Sequence, residues 1–259
     1  MRHTIHVLRV LLTHLTQFSC TFDPPLDNIV GIELLNEPAP GSRQKLLEKW
    51  YSDAILSLRS INPDMPLYIG DCWQTDHFAS YITKNSSSFS DIILDHHLYR
   101  CFTSEDQEVS AYDHAGRLWD HNGSTMQTFS RAEAKLESAG GALVVGEWSG
   151  ALNPKSLERL NNQDHARSQF IQAQVDLYER QCAGYFFWTY KKQWGGDKGW
   201  SLRDAVEGGV FPKAIGLRIK KPLEEYHEND RVTRRDAAKD KAIGNGPSTE
   251  QRPHLILCF

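Results

Sequence analysis

The chain has 259 residues, a formal net charge of −4 at pH 7, and a composition of 40% hydrophobic, 24% charged and 10% aromatic residues. This length suits one α/β barrel or two smaller domains. The small negative charge gives no electrostatic reason to expect a nucleic acid or an anionic membrane as a partner. Apolar runs stay short of the roughly 18 residues that cross a bilayer, so we predict no membrane span. The five cysteines lack CxxC spacing, which favours neither a zinc site nor a disulfide framework.

The N-terminal segment is predicted to form an amphipathic helix rather than a signal peptide. Arg9 and His14 interrupt its apolar stretch, and no small-x-small cleavage pattern follows. Apolar side chains recur there at helical spacing, at Val7, Val10, Leu11, Leu12 and Leu15. In this interpretation the chain carries no leader of its own.

Short apolar runs then alternate with helical patterns. The runs predicted to be strands are residues 29–35, 67–70, 91–99, 142–146 and 184–188. Helical periodicity is predicted for residues 46–58, 77–82, 130–138 and 164–181. This alternation is typical of parallel βαβ units. Five strands are too few to close an eight-stranded barrel, and an open sheet leaves two unpaired edges.

The C-terminal residues are predicted to be separate from this α/β domain. From about Leu217 to Pro253 the chain is rich in Lys, Arg, Asp and Glu, and their charges nearly balance. Such a composition indicates a solvated or disordered tail rather than a nucleic-acid-binding arm. We therefore predict an incomplete barrel domain over residues 1–216 and a charged, disordered tail over residues 217–259.

Two glutamates each follow directly on an apolar run, Glu37 in GIELLNEPAP and Glu147 in ALVVGEWSG. A carboxylate at the end of a parallel strand lies at the rim where α/β barrels place their catalytic residues. Two facing carboxylates, one a general acid and the other a nucleophile, are what retaining glycoside hydrolysis requires. Either glutamate alone could equally be an ordinary rim residue. The occurrence of two in separate strands favours the catalytic interpretation.

Polar residues beside these glutamates are candidates for supporting roles. Asn36 can hydrogen-bond a sugar hydroxyl, and Glu33 is interpreted as an inward polar contact that supports the site. In the string DHHLY, an imidazole and the Tyr99 hydroxyl are predicted to orient the nucleophile and maintain its charge. Among the aromatic residues of YFFWTY, Trp188 is the candidate floor for a sugar ring.

No metal or other cofactor is predicted. The paired histidines lack a third ligand at metal spacing, and the HExxH pattern is absent from the sequence. The sequence likewise contains no Walker string and no GxSxG elbow, which argues against nucleotide enzymes and serine hydrolases.

Together these motifs resemble glycoside hydrolase family 5, and within it the fungal exo-β-1,3-glucanase branch. The matching strings are GIELLNEP, DHHLYRCF, VVGEWSG, FFWTYK and KGWSLRDAVEGGVFP, in the family's order and at compatible spacing. The resemblance covers about residues 4–213 and leaves out the charged tail. It implies a (β/α)8 barrel and an enzyme that releases glucose from β-1,3-glucan by a retaining double displacement.

The resemblance also implies roles for individual residues. Glu37 matches the acid/base after the fourth barrel strand, and Glu147 matches the nucleophile after the seventh. The matching substrate-binding positions are Asn36 at the sugar 2-hydroxyl, His97 and Tyr99 beside the nucleophile, Phe102 in an aromatic clamp, and Trp188 at the cleavage subsite. Strands one to three of the family, with an Arg and a His, have no counterpart. We therefore interpret the chain as an N-terminally truncated barrel made of strands four to eight.

Two classes of function follow. The first is an active β-glucan exohydrolase, with a β-1,6-glucanase or a steryl β-glucosidase as alternatives that share the two carboxylates. The second is an inactive barrel fragment that binds glucan or associates with another chain through its open edges. The compartment stays open, because the family is mostly secreted or wall-bound whereas no signal peptide is predicted.

Overall fold

The structure, a computed structural model, describes residues 2–23, 28–39, 41, 43–158 and 160–213. The predicted tail over residues 217–259 lies outside these ranges, so the domain boundary stays a prediction. Within the described ranges, no helix is both long enough and apolar enough to cross a membrane.

Five parallel strands form a single sheet whose spatial order follows the chain, and the sheet curls into a half-barrel. The strands are β1 (Ile32–Glu33), β2 (Leu67–Gly70), β3 (Ile92–Arg100), β4 (Ala142–Leu152) and β5 (Gly184–Phe187). Each consecutive pair is parallel. The architecture is therefore the predicted partial (β/α)8 barrel.

Helices connect the strands and cover the outer face of the sheet. They are α1 (Arg2–Ser19), α2 (Gln44–Arg59), α3 (Thr75–Lys84), α4 (Ser104–Gln107), α5 (Ala111–Trp119), α6 (Ser124–Ser138), α7 (Pro154–Leu157), α8 (Gln163–Gln181) and α9 (Leu202–Glu207). All five helices predicted from periodicity are present, with wider bounds. The sequence analysis missed α5, which begins where the Ser110 hydroxyl accepts a hydrogen bond from the Asp113 N–H at 3.2 Å.

Aromatic side chains behind β4 fix this strand against α8 and β5. Trp148 is fully buried, and its ring centroid lies 5.3 Å from that of Tyr178, 5.9 Å from Tyr185 and 5.0 Å from Phe187. Truncating such a side chain to alanine costs about 3–5 kcal/mol. Because Trp148 follows Glu147 directly, this packing also holds the backbone that carries the glutamate.

The predicted bounds of β1 and β4 need correction. Residues 29–35 were predicted to be one strand, but β1 pairs with β2 only through Ile32 and Glu33. Gly31 precedes it with φ +148°, so the chain enters the sheet abruptly. Conversely, β4 continues to Leu152, past the predicted end at Gly146, because its pairing with β3 resumes after the irregularity at Gly146 and extends to Leu152.

Candidate active site

Three side chains from alternate positions of β3 face the interior of the half-barrel. They are Asp95, His97 and Tyr99, and successive side chains of a strand point to opposite faces. Asp95 and His97 are buried, whereas Tyr99 is half-buried. The Trp73 indole N–H donates to the His97 carbonyl oxygen at 3.1 Å, which ties this part of β3 to the loop after β2.

A bulge in β4 places Glu147 opposite His97. Val145 pairs with His96 and Glu147 pairs with His97, so Gly146 is the extra residue between them. The Gly146 N–H donates to Asp95 Oδ1 at 2.6 Å. A side chain at position 146 would overlap both carboxylate oxygens of Asp95, so the bulge requires glycine. The bulge thus joins Asp95 to the strand segment that carries Glu147.

His97 lies between the two glutamates identified from the sequence. Its Nδ1 is 2.8 Å from Glu37 Oε1 and 3.7 Å from Glu147 Oε2. One oxygen of each glutamate and this nitrogen all lie within 4.8 Å of one another. The Tyr99 hydroxyl donates to Glu147 Oε1 at 2.5 Å. The structure therefore brings Glu37, Glu147, His97 and Tyr99 together, although Glu37 and Glu147 are 110 residues apart in the sequence.

The backbone after β1 turns sharply to present Glu37. Its φ is +41°, in the left-handed region that residues with a side chain seldom occupy. Pro38, which follows, is buried against Gly70 at the end of β2. Asn36 is exposed beside Glu37, where an amide can meet a ligand. Such conformations persist where neighbouring structure maintains them, and they are frequent at functional sites.

The carboxylates around His97 favour its charged form. Burial alone would lower the pKa of this imidazole, but the Asp95 and Glu37 hydrogen bonds and the nearby Glu147 raise it to about 9. Burial first, and then Glu147, raise the pKa of the Tyr99 hydroxyl far above its ordinary value. At neutral pH, both groups are therefore protonated and can donate hydrogen bonds to the glutamates.

Glu33 lies deeper in the same interior, as the sequence analysis expected for an inward polar contact. One oxygen of Glu33, one of Asp95 and one nitrogen of His97 lie within 4.8 Å of one another. Burial, and then the charge of Asp95, raise the pKa of Glu33 to about 7. Its Oε1 is buried and has no hydrogen-bond partner among the described residues.

An aromatic cluster borders the site on the side of β3. The ring centroids of Tyr99 and Phe102 are 5.3 Å apart, and Trp200 lies 5.4 Å from Tyr99 and 5.9 Å from Phe102. Asp197 Oδ1 accepts the Trp200 backbone N–H at 3.1 Å and so holds the loop that carries this ring. Phe102 is 68% exposed, which leaves its face available to a ligand.

Trp188, predicted as the last residue of the fifth strand, lies just after β5 and is 54% exposed. Its backbone N–H donates to the Trp148 carbonyl oxygen at 2.7 Å. Within the part of the chain that the structure describes, no hydrogen bond or ring contact joins its indole to the Glu37–His97–Glu147 cluster. Trp188 is thus an exposed aromatic face at the rim rather than a member of the hydrogen-bonded network.

Two sets of side chains are spaced as metal ligands would be, which sequence spacing did not reveal. They are Glu33, Asp95 and His97, and Glu37, His97 and Glu147. Both sets depend on His97, whose two ring nitrogens already face carboxylate oxygens. A metal ligand must be a neutral imidazole, whereas this site favours the protonated ring. The arrangement therefore suits proton chemistry better than metal binding.

Sequence reasoning missed Asp95, Gly146 and Trp200 as members of the site. Asp95 precedes the two histidines in DHHLY, and its alternation with His97 would have placed both on one face. Trp200 lies within the quoted string KGWSLRD, although only its tertiary contacts reveal its proximity to Tyr99. The available signal for the bulge is Gly146 itself, because an isolated glycine within a strand pattern indicates a bulge or a close backbone approach.

Comparisons with known proteins agree with this architecture. The family model described as cellulase (glycosyl hydrolase family 5) matches residues 11–193. Glucan 1,3-beta-glucosidase 3 of Schizosaccharomyces pombe is 32% identical over 210 residues, which are 80% of this chain and 40% of that protein. Glucan 1,3-beta-glucosidase of Yarrowia lipolytica is 26% identical, over 72% of this chain and 49% of that protein.

A third relative, probable glucan 1,3-beta-glucosidase A of Neosartorya fischeri, is 28% identical over 74% of this chain and 50% of that protein. The chain thus spans half or less of the length of these three relatives. The family match nevertheless covers the strands and most of the helices described above. On this evidence, the chain belongs to the cellulase family, glycosyl hydrolase family 5.

Proposed function

We propose that this chain carries the catalytic carboxylates of a retaining β-glucan hydrolase, with Glu147 as nucleophile and Glu37 as acid/base. The observation that carries the proposal is the approach of one Glu37 oxygen to one Glu147 oxygen within 4.8 Å. Retaining enzymes hold their two carboxyl groups about 5–5.5 Å apart, whereas inverting enzymes need about 6.5–9.5 Å to admit a water. The observed separation favours the retaining mechanism.

The reaction then proceeds in two balanced steps. A Glu147 oxygen attacks the anomeric carbon and forms a glycosyl ester, while the bond to the leaving oxygen breaks and that oxygen takes the Glu37 proton. In the second step, Glu37 takes a proton from water, whose oxygen attacks the anomeric carbon and releases Glu147. His97, 2.8 Å from Glu37, stabilises the carboxylate that the first step leaves behind.

The proposed substrate class is a β-1,3-glucan, from which glucose is released. The support comes from the relatives, which are named glucan 1,3-beta-glucosidases. It also comes from the exposed rings of Phe102 and Trp188, because aromatic faces stack on sugar rings. Asn36, exposed beside Glu37, is the proposed contact to the sugar 2-hydroxyl.

The test is hydrolysis of laminarin and of an aryl β-glucoside by the purified chain. Glu147→Gln should abolish turnover of both substrates, because the nucleophile is lost. Glu37→Ala should retain more activity on an aryl glucoside with a good leaving group. Azide should accelerate this variant, because the anion attacks the glycosyl ester in place of water, needs no general base, and releases Glu147 as a β-glucosyl azide forms. Glu137→Gln, on the exposed surface of α6, is the matched control and should behave as the parent.

The outcomes separate the alternatives. An inactive parent chain that still binds laminarin would contradict the proposal and favour a glucan-binding fragment. Chromatography of the products distinguishes linkage preference, because a β-1,6-glucanase or a steryl β-glucosidase would share the carboxylates but leave laminarin largely intact.

A further inference from the structure

A half-buried carboxyl group and a buried one lie beside His97, and the double displacement does not use them. They belong to Glu33 on β1 and Asp95 on β3, and both lie next to His97. Grouping four carboxyl groups around one imidazole is costly unless protons are distributed among them. The distribution of those protons determines the charge of His97, which contacts Glu37.

His97 contacts carboxylate oxygens through both of its ring nitrogens. Nε2 is 3.2 Å from Asp95 Oδ2, and Nδ1 is 2.8 Å from Glu37 Oε1. An ionised carboxylate only accepts hydrogen bonds, and a neutral imidazole donates from one nitrogen alone. With Asp95 and Glu37 both ionised, both contacts are hydrogen bonds only if both nitrogens carry hydrogen. In that state the geometry favours the imidazolium, whereas a protonated Glu37 can itself donate to Nδ1.

Asp95 is fixed in the orientation that this contact needs. It is 4% exposed, and its other oxygen, Oδ1, accepts the Gly146 N–H at 2.6 Å. One carboxylate thus holds the His97 ring and the bulge that aims Glu147. Rotation of this side chain would break both contacts at once.

Glu33 completes the arrangement. Two carboxyl groups in one buried site share a proton, because both cannot be charged at low cost. Both Asp95 oxygens already face donors, Oδ1 the Gly146 N–H and Oδ2 the His97 Nε2, so a proton held by this pair belongs on Glu33. The raised pKa of Glu33, about 7, agrees with this assignment.

We propose that Asp95 is a positioning residue that keeps His97 as an imidazolium between Glu37 and Glu147, while Glu33 holds the proton that leaves Asp95 charged. The catalytic consequence of this proposal rests on the proposed function, whereas the charge of His97 can be tested without it. The other titratable groups around this cluster are Glu37, Glu147, Tyr99, Tyr51 on α2, and Asp71 and Cys72 after β2.

The experiment is a pH titration of the full chain labelled with ¹⁵N-histidine, followed by NMR. The His97 signal is identified by its loss in His97→Gln. In the parent chain it should retain the imidazolium signature beyond pH 8. In Asp95→Asn its apparent pKa should fall by about 1–2 units. In Glu33→Gln, which imitates a permanently protonated carboxyl, His97 should stay charged at pH 7.

Asp71→Asn is the matched control, because it removes a buried aspartate from the neighbouring His96. It should move the His96 signal and leave that of His97 in place. A neutral His97 at pH 7 in the parent chain would overturn the inference. An unchanged His97 titration in Asp95→Asn would overturn it as well. Absent hydrolysis with a charged His97 would refute the proposed function alone.

Discussion

Two adjacent histidines of β3 each meet a buried aspartate, yet they face opposite sides of the sheet. His96 faces the helices, where Nδ1 is 2.7 Å from Asp71 Oδ2 and the ring packs edge-on against Phe129 at 5.2 Å. His97 faces the interior, where it meets Asp95 and both proposed catalytic glutamates. The same pair of residue types therefore occurs in two very different surroundings.

In the outer pair, His96 and Asp71, further hydrogen-bond donors satisfy the aspartate. Asp71 also accepts hydrogen bonds from the Thr75 hydroxyl at 2.6 Å and the Trp73 N–H at 2.8 Å. Burial would raise the pKa of Asp71, but His96 and these donors outweigh burial and lower it. In the inner pair, His97 and Asp95, the two ring nitrogens of His97 face carboxylate oxygens of three residues, Asp95, Glu37 and Glu147. A saturated Asp–His pair stabilises a fold, whereas one that shares its protons with further carboxylates can support chemistry.

The largest expected effect is on stability and comes from the outer pair. Asp71→Ala should lower the free energy of unfolding by about 3–5 kcal/mol, because removing one partner leaves the other buried without it. Denaturant unfolding monitored by circular dichroism measures this. Because the folded pKa of Asp71 is lowered, its contribution is present above the ordinary value of 3.8 and is lost as pH falls through the folded pKa. A loss below about 1 kcal/mol would contradict a stabilising role for this pair.

The inner histidine should instead affect activity. His97→Gln should reduce kcat on an aryl β-glucoside by about 100-fold, with little change in KM, because it removes the donor beside Glu37. Stability should fall less than in Asp71→Ala, because a Gln amide can still donate a hydrogen bond to Asp95. If stability falls as far as in Asp71→Ala while kcat is preserved, the two pairs are functionally alike and the comparison fails.

The effect expected for Glu33 is smaller and depends on pH. Its pKa is raised from 4.5 to about 7, so its contribution to stability is present below 4.5 and is lost as pH rises through 7. Glu33→Gln removes this dependence. Above pH 7 the variant should therefore exceed the parent in stability by on the order of 2 kcal/mol. Equal pH–stability curves for parent and variant would show that Glu33 does not hold the proton.

Much of the fold was predictable from the sequence, because short apolar runs separated by amphipathic segments leave few alternatives to a parallel sheet. The runs at β2, β4 and β5 begin where they were predicted. The prediction was less accurate where tertiary context decides. The edge strand β1 is shortened by the turns at Gly31 and Glu37, and α5 has only 9 residues, with Gly116 among them, so its helical pattern is short.

The candidate site, like the fold, was predictable from the sequence only in part. The placement of Glu37 and Glu147 after apolar runs predicted that they would approach each other at one rim, as the structure places them. Their environment was not predictable in the same way. The bulge at Gly146 and the hydrogen bond it makes to Asp95 depend on the register between β3 and β4, which no local pattern encodes.

The most direct measurement is to trap the reaction intermediate. Incubation with a 2-deoxy-2-fluoro-β-glucosyl fluoride, followed by mass spectrometry of the peptides, should show one adduct per chain on Glu147, and the initially released glucose from a natural substrate should be the β-anomer. An active chain that releases the α-anomer, or that carries its adduct on another residue, would contradict the account.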